Sequence, residues 1–162
     1  MIIKGVDMPN FSIKEIPQHV SPYMSRLILS RIQIYRNLLE CPFNISMAHG
    51  ALIRFDGSKT SEHYVIKTTT GQIEKLSRAI DGFPDCDIFK AWTITLSSGM
   101  FTGVGVYFDT RNNHGVPQPM LHLDLRSTPL IWYRNGGEYF YPHNKNFFKN
   151  LNCLLSTSEL IK

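Results

Sequence analysis

The sequence predicts a single α+β domain with a small antiparallel sheet and flanking helices. Two stretches carry apolar residues every three or four positions, which is typical of amphipathic helices. The second half of the chain consists of short apolar and aromatic runs separated by Gly, Asn and Pro, which is typical of strands and turns. The 162 residues show no internal repeat and are enough for one hydrophobic core.

The first predicted helix follows an N-terminal extension, residues 1–20, in which prolines interrupt regular structure. Ser21 and Pro22 predict the helix start, with serine as the N-cap and proline at the first helical position. The helix is expected to end before Pro42. The residues predicted to face the core are Met24, Leu27, Ile28, Tyr35, Leu38 and Leu39.

The middle of the chain predicts two extended segments and a second helix. Residues 43–55 are expected to be extended, with an irregular stretch near His49, and residues 77–83 to form a short strand. Between them, residues 68–71 read TTTG and predict a loop. Residues 84–99 predict the second helix, which ends at a glycine C-cap.

The last third of the main domain, which we bound at residues 21–143, predicts a set of strands. An Asn-Gly-Gly turn at 135–137 lies between two aromatic-rich runs and indicates a hairpin. Residues 144–162 form a C-terminal tail, predicted as a short helix or an ordered extension. The strand candidates are Gly103–Phe108, Met120–Arg126, Leu130–Arg134 and Glu138–Tyr141.

The charge balance is mildly basic. With 17 basic and 13 acidic residues the net charge is +4, which is typical of an ordinary solvated surface and also suits an anionic partner such as a cell-wall polymer. Aromatic residues alternate with Arg and Lys between residues 132 and 149, as in nucleic-acid binders. A nucleic-acid-binding motif is missing from the sequence and the charge is small, which argues against nucleic acid as the partner.

The three cysteines, Cys41, Cys86 and Cys153, are odd in number and form no CxxC pair. They therefore predict neither a disulfide framework nor a zinc–cysteine site, and they fit a reducing compartment.

Apolar runs fall short of the roughly 20 residues of a membrane helix, so a membrane partner is not expected. The N-terminus lacks the features of a signal peptide, so we expect synthesis in the cytoplasm, with separate release to the cell wall or packaging in a virion. The oligomeric state is not indicated.

The motif HLDLR places His122 and Asp124 two residues apart on a predicted strand. Side chains two apart on a strand point to the same face, so an imidazole and a carboxylate lie together there. This pair is the start of a metal site or of an acid/base site. His63 and Asp81, upstream in the sequence, are candidates to complete it. His19, His49 and His143 are expected to be packed or surface residues; they are not part of the predicted site.

The ordered motifs 61–63 (SEH), 77–81 (SRAID), 103–107 (GVGVY) and 122–124 (HLD) resemble the M15 group of zinc peptidases. These are D-alanyl-D-alanine carboxypeptidases and phage endolysin-like enzymes that cut peptidoglycan stem peptides. The resemblance covers residues 43–134, and GVGVY followed by HLDLR is its most specific part. It implies the M15 D-Ala-D-Ala peptidase fold and a peptidoglycan peptide as the substrate.

The resemblance also implies the ligands of one Zn²⁺ ion: His63, Asp81 and His122. Two neutral imidazoles and a carboxylate suit zinc, with a fourth position open for a water whose pKa falls to about 7. In the family, a cationic side chain near the first motif meets the substrate carboxylate, and this role corresponds to Arg54. The other interpretation of Arg54 is a surface arginine. The second candidates for the same role are Arg126 and Arg111.

The sequence departs from the family pattern in three places. His63 and Asp81 are 18 positions apart, so residues 65–75 must be an insertion that loops out between them. Ser77 stands where the family has glycine. Many members carry an acid three residues before the last histidine or a histidine two before it. Here those positions hold proline and methionine, so the usual general base is missing.

Asp124 is our predicted replacement for that base, and its other possible role is to orient His122. Glu62, Asp109 and His114 are further candidates. The missing acid also motivates a different hypothesis: a catalytically weak or inactive binding module on the same fold, such as a phage virion component. An aromatic cluster is expected to pack in the core and the hairpin or else to form the wall of a cleft; its members are Tyr107, Trp132, Tyr133, Tyr139, Phe140 and Tyr141.

Overall fold

The computed structural model describes residues 1–158, with side chains described for residues 1–154. Within these residues the chain forms a mixed α+β fold with three α-helices, a six-stranded sheet and two two-stranded sheets. The helices are α1 (Arg26–Leu39), α2 (Ile88–Ser98) and α3 (Phe147–Ser158). The strands are β1 (Ile2–Ile3), β2 (Val6–Asp7), β3 (Phe43–Ile45), β4 (Ile66–Lys67), β5 (Ile73–Lys75), β6 (Ala79–Pro84), β7 (Gly103–Tyr107), β8 (Met120–Asp124), β9 (Leu130–Asn135) and β10 (Glu138–Phe140).

None of the helices in residues 1–158 has both the length and the apolar character that a membrane span requires. The predicted C-terminal tail contains α3, and its last residues, 159–162, lie outside the described residues.

The central sheet has the strand order β10-β9-β7-β8-β6-β3. The prediction of a wholly antiparallel sheet is wrong at one pair, because β7 and β9 run parallel. After β8, the chain crosses to the far side of β7 before forming β9. Strand β7 runs antiparallel to β8. Because the chain reverses direction again after β8, β9 runs in the same direction as β7, and the two strands pair as parallel neighbours. Local sequence pattern does not encode which edge of the sheet the chain returns to.

The start of α1 differs from the prediction. Residues Ser21–Tyr23 form a separate 3₁₀ turn, and the helix begins at Arg26 with Ser25 as its N-cap. The Ser25 hydroxyl accepts the backbone N–H of Leu27 at 3.2 Å, which satisfies one of the free donors of the first turn. The helix ends before Pro42 as predicted, with Glu40 in the left-handed conformation at φ 56°.

The core-facing side of α1 is shifted around the helix relative to the prediction, because Leu29 and Ile32 are fully buried as well. Ile28, Tyr35 and Leu39 are fully buried, whereas Leu27 and Leu38 are 52% and 46% exposed. Each of the two exposed leucines precedes a buried residue by one position, so each lies about 100° around the helix from its buried neighbour.

Most of the remaining elements lie near their predicted positions, but α2 begins at Ile88 rather than at Pro84, because Pro84 is the last residue of β6. Asp87 caps the N-terminus of α2 by accepting the N–H of Lys90 at 2.8 Å, and Gly99 ends the helix in the left-handed region. The Asn-Gly-Gly turn joins β9 and β10 in a hairpin. Strands β4 and β5 form a hairpin around the predicted TTTG loop. Residues 43–55 form a strand only over Phe43–Ile45, and the rest is a loop.

The central sheet has two different faces. Alternate residues Ile80, Val104, Val106, Leu121 and Leu123 are buried in the hydrophobic core shared with α1 and α2. Residues 1–20 add Met8, Phe11 and Ile16 to the same core, so the predicted N-terminal extension is packed into the domain. The residues between these apolar positions on β6, β7 and β8 point to the other face, which carries the polar groups.

Candidate metal centre

Two of the predicted ligands lie on neighbouring strands. Asp81 on β6 and His122 on β8 are direct partners in the antiparallel register. Their sequence neighbours are buried in the core, so alternation places both side chains on the opposite face of the sheet. Asp81 Oδ1 is 2.8 Å from His122 Nδ1. The register of the ladder therefore fixes the relative positions of two of the three predicted ligands.

The third ligand, His63, lies on the loop between β3 and β4. Its carbonyl accepts the backbone N–H of Arg54 at 2.8 Å, and its own N–H donates to Ser61 Oγ at 3.3 Å. His63 Nε2 lies 3.2 Å from Asp81 Oδ1 and 3.1 Å from His122 Nδ1. Three residues that are distant in sequence thus form one compact group, which we call the triad.

The geometry of the triad fits a metal ion. Its three potential ligand atoms form a triangle with edges of 2.8, 3.1 and 3.2 Å. In a tetrahedral zinc site with ligand distances of 2.0–2.1 Å, neighbouring ligand atoms are about 3.3 Å apart. The three side chains belong to buried residues, with exposures of 2% for His63 and 7% for Asp81 and His122. The donor set of two imidazoles and one carboxylate could hold a divalent cation.

A second layer of polar groups lies behind His122. Its Nε2 atom is 2.8 Å from Asp124 Oδ2, on the side of the ring away from the triad. Arg126 donates to the same carboxylate through its backbone N–H and its guanidinium, at 3.0 Å each. The structure therefore connects Arg126, Asp124 and His122 in a continuous chain of charge-assisted hydrogen bonds.

These contacts shift the ionisation of the strand residues in the metal-free protein. Burial alone lowers the pKa of His122, but hydrogen bonds to Asp124 and Asp81 outweigh it and raise the pKa to about 9. Burial opposes ionisation of Asp81, yet the two histidines hold the pKa of its carboxyl well below the usual range. His122 and Arg126 do the same for the pKa of Asp124. The carboxylates are thus anionic and ready to pair with a cation.

The position of Asp124 favours the orienting role over that of a general base. Asp124 is fully buried, is not among the residues that line the cavity over the triad, and has both oxygens in hydrogen bonds. Metal-binding histidines usually donate their other nitrogen to such a carboxylate. His63 differs, because its Nδ1 has no hydrogen-bond partner among the described side chains.

The glycines of the GVGVY strand make room for this arrangement. A Cβ atom at Gly103 would overlap the Asp124 carboxylate, and one at Gly105 would overlap the Trp132 indole. The indole packs beside the His122 ring, with 5.2 Å between ring centroids, and under the Arg126 guanidinium at 4.6 Å. Glycine at these two positions therefore allows the polar residues to lie flat on the sheet.

A cavity of about 490 Å³ opens over the triad. Its lining includes the four arginines Arg54, Arg111, Arg126 and Arg134, against the two carboxylates Glu62 and Asp81. The positive excess favours an anionic ligand. A second, more apolar cavity of about 520 Å³ shares part of its lining with the first, in the loop around residues 46–51.

The predicted substrate residue Arg54 lines the cavity, with its Nε donating to the Gly50 carbonyl at 3.2 Å. Arg126 and Arg111, the second candidates, line it as well. Arg126 is committed to Asp124 by an ion pair, whereas Arg111 is exposed and donates to the Gly115 carbonyl.

The three further candidates for a general base differ in whether they line the cavity over the triad. Glu62 lines the cavity, where Arg78 donates to its carboxylate at 3.0 Å. Asp109 pairs with Arg134 and is not among the cavity-lining residues, and His114 lines a different pocket. Among the described residues of the lining, Glu62 is the one carboxylate besides Asp81. Pro119 and Met120 stand at the positions where many of the M15 peptidases that the sequence resembles carry an acid or a histidine.

Sequence reasoning missed one functional candidate and left the aromatic cluster undecided. His49 is an exposed residue that lines both cavities, and its place beside a glycine in an irregular segment was the available signal. Tyr107, Trp132 and Tyr139 line the cavity, whereas Tyr133 stacks on Phe140 at 4.8 Å in the core. The cluster therefore divides between cleft wall and core.

The comparisons with known proteins give no match: the chain matches no family model, no curated protein and no solved structure. The site must therefore be interpreted from its own geometry.

Proposed function

We propose that this protein is a zinc-dependent peptidase that acts on peptidoglycan stem peptides, as a D-Ala carboxypeptidase or an endopeptidase. The observation that carries the proposal is the buried triad at the base of an arginine-rich cleft. The motif order that resembles M15 peptidases supports the same conclusion. A bound zinc ion would supply an activated water and polarise the peptide carbonyl.

The protein's own residues supply ligation, orientation and substrate binding. His63 Nε2, Asp81 Oδ1 and His122 Nδ1 are the proposed ligand atoms. Asp124 orients the His122 ring by holding its Nε2 nitrogen. Arg54 binds a substrate carboxylate, for which its planar guanidinium is well suited.

Glu62 is the proposed proton acceptor, because it is the remaining carboxylate in the described lining of the cavity. Arg78 and Lys75 form ion pairs with this carboxylate, at distances of 2.9 and 3.8 Å. The aromatic wall of Tyr107 and Trp132 would shield the reacting groups from water on one side of the cleft.

The second candidate function is a binding module with weak or no catalysis, such as a virion-associated protein that attaches to the cell wall. The specific observation in its favour is the replacement of the family's acid and histidine positions by Pro119 and Met120. Such a module would keep zinc and the cleft but would not cleave peptides.

The test uses the full chain, stripped of metal and then titrated with zinc, on isolated peptidoglycan and on a peptide that ends in D-Ala-D-Ala. Our proposal predicts zinc-dependent cleavage that the His122→Ala variant loses. The control variant His143→Ala changes an exposed histidine stacked on Tyr141 and should cleave normally. Zinc binding without cleavage would favour the binding module, and a failure to bind zinc would reject both functions.

A further inference from the structure

Two cysteines lie just beyond the paired strands β3 and β6, at one end of the central sheet. The antiparallel ladder of β3 and β6 continues beyond the strands, because the Pro42 carbonyl accepts the backbone N–H of Asp85 at 2.8 Å. Continuing the same register by one more step, beyond the strands themselves, places Cys41 opposite Cys86, and the two thiols are close enough to interact. The two residues are 45 positions apart, and no local motif pairs them.

The spacing suits a covalent bond between the two sulfur atoms. Residues opposite each other on antiparallel strands have Cα atoms about 4.5–5.5 Å apart, within the range of about 4.4–6.8 Å found in disulfides. The side chains also interact: burial and the neighbouring Cys86 thiol raise the pKa of the Cys41 thiol to about 12. Both cysteines are partly exposed, so a small oxidant can reach them.

We propose that Cys41 and Cys86 form a disulfide when the protein meets a small-molecule disulfide such as oxidised glutathione. The raised pKa of Cys41 keeps that thiol protonated, so the thiolate of Cys86 attacks the oxidant, forms a mixed disulfide and releases one glutathione thiolate. The second cysteine then attacks the mixed disulfide, forms the Cys41–Cys86 bond and releases the other glutathione. The two protein thiols lose two electrons and two protons, and the oxidant takes them up as two thiols.

The bond would close the segment from residue 41 to residue 86, which contains His63, Asp81 and the whole loop that completes the triad. Closing this segment removes conformations from the unfolded chain, so the oxidised protein should melt about 5–15 °C above the reduced protein. The proposal does not depend on metal binding or on peptidase activity.

The experiment exposes the reduced full chain to oxidised glutathione and then counts free thiols. The expected result is a fall from three thiols to one, with no glutathione retained in the intact mass. Trypsin should release peptide 37–54 linked to peptide 79–90, since Arg36, Arg54, Arg78 and Lys90 bound these segments. Three remaining thiols, a persistent glutathione adduct at Cys41 or Cys86, or a cross-link through Cys153 would each overturn the proposal.

Matched variants check that the bond is responsible for the change in melting temperature. Cys153→Ser changes the exposed cysteine on α3 and should keep the full difference between oxidised and reduced protein. Cys41→Ser and Cys86→Ser should each abolish that difference, and its survival in either would contradict the assignment. If one of these variants does not fold, the thiol count of the unaltered chain still decides.

Discussion

The triad consists of two regions that the fold builds in different ways. Asp81 and His122 lie on adjacent strands, where the ladder register sets their separation and Asp124 supports one ring from behind. His63 lies on a loop, and its ring nitrogen Nδ1 lacks a hydrogen-bond partner among the described residues. The strand region is preorganised by the sheet, whereas the loop region depends on a few backbone contacts. A metal ion would therefore be held mainly by the strand region, with the loop closing over it.

The largest expected effect comes from removing a strand ligand. Asp81→Ala should weaken zinc binding about 1,000-fold, since one of three ligands contributes roughly a third of the binding free energy of such a site. Calorimetric titration with zinc measures this. The control Asp85→Ala changes an exposed aspartate just beyond the same strand and should bind zinc as the unaltered protein does. Equal affinities in the two variants would mean that the strand region does not bind the metal.

The difference between the two regions also shows how far the sequence predicts this site. The alternation of His122 and Asp124 between leucines indicated one polar face, and the structure places both there. The position of His63 against this face was implied only by a family resemblance. Its approach depends on tertiary contacts, such as the Arg54 N–H to the His63 carbonyl, that no local pattern encodes.

The fold as a whole shows the same difference between local and tertiary signals. Helix α2 was predicted from its periodicity and its glycine cap, because both are local signals. The parallel pairing of β7 and β9 was missed, because it depends on where the chain crosses the sheet. The role of Asp124 stayed open for a similar reason. Only the surrounding contacts separate an orienting carboxylate from a base in the cavity.

The second expected effect is a loss of stability of the metal-free protein at high pH. The pKa of His122 is raised from its unfolded value near 6.5 to about 9 in the folded state. The resulting stabilisation is complete below pH 6.5 and disappears as the pH rises through about 9, a loss on the order of 3 kcal/mol. Urea unfolding at pH 6 and pH 9.5 measures it.

Stability should also fall at acid pH, below about 4, because the lowered pKa values of Asp81 and Asp124 stabilise the fold only while both are ionised. A His122→Gln variant should lose the alkaline decrease and show a smaller acid decrease, because His122 is one of the groups that lower the pKa of Asp81 and Asp124. An alkaline decrease of unchanged size in this variant would assign the titration to another group.

A third effect tests the support behind His122. Asp124→Asn keeps the shape of the side chain but removes its charge, and should weaken zinc binding about 10- to 100-fold. The matched control is Asp109→Asn, which breaks an ion pair with Arg134 outside the triad and should leave zinc affinity within about twofold. If Asp124→Asn binds zinc normally while the ligand variants fail, the orienting role is wrong.

The smallest effect concerns the loop region. Gly50 has φ +83°, and a Cβ atom there would overlap the Arg54 side chain, whereas Gly57 has φ +79° and open space around it. Gly50→Ala and Gly57→Ala should each lose about 1 kcal/mol of stability from backbone strain. Only Gly50→Ala should also lower cleavage of a peptide with a free carboxylate, by about tenfold, with zinc affinity unchanged. Equal cleavage by the two variants would show that Arg54 does not bind the substrate.

The most direct measurement is a crystal structure of the zinc-loaded protein with anomalous scattering at the zinc edge. We expect one ion within 2.0–2.2 Å of His63 Nε2, a carboxylate oxygen of Asp81, and His122 Nδ1, with His122 Nε2 still bonded to Asp124. Zinc bound elsewhere, or bound without His63 and Asp81 together, would contradict the account.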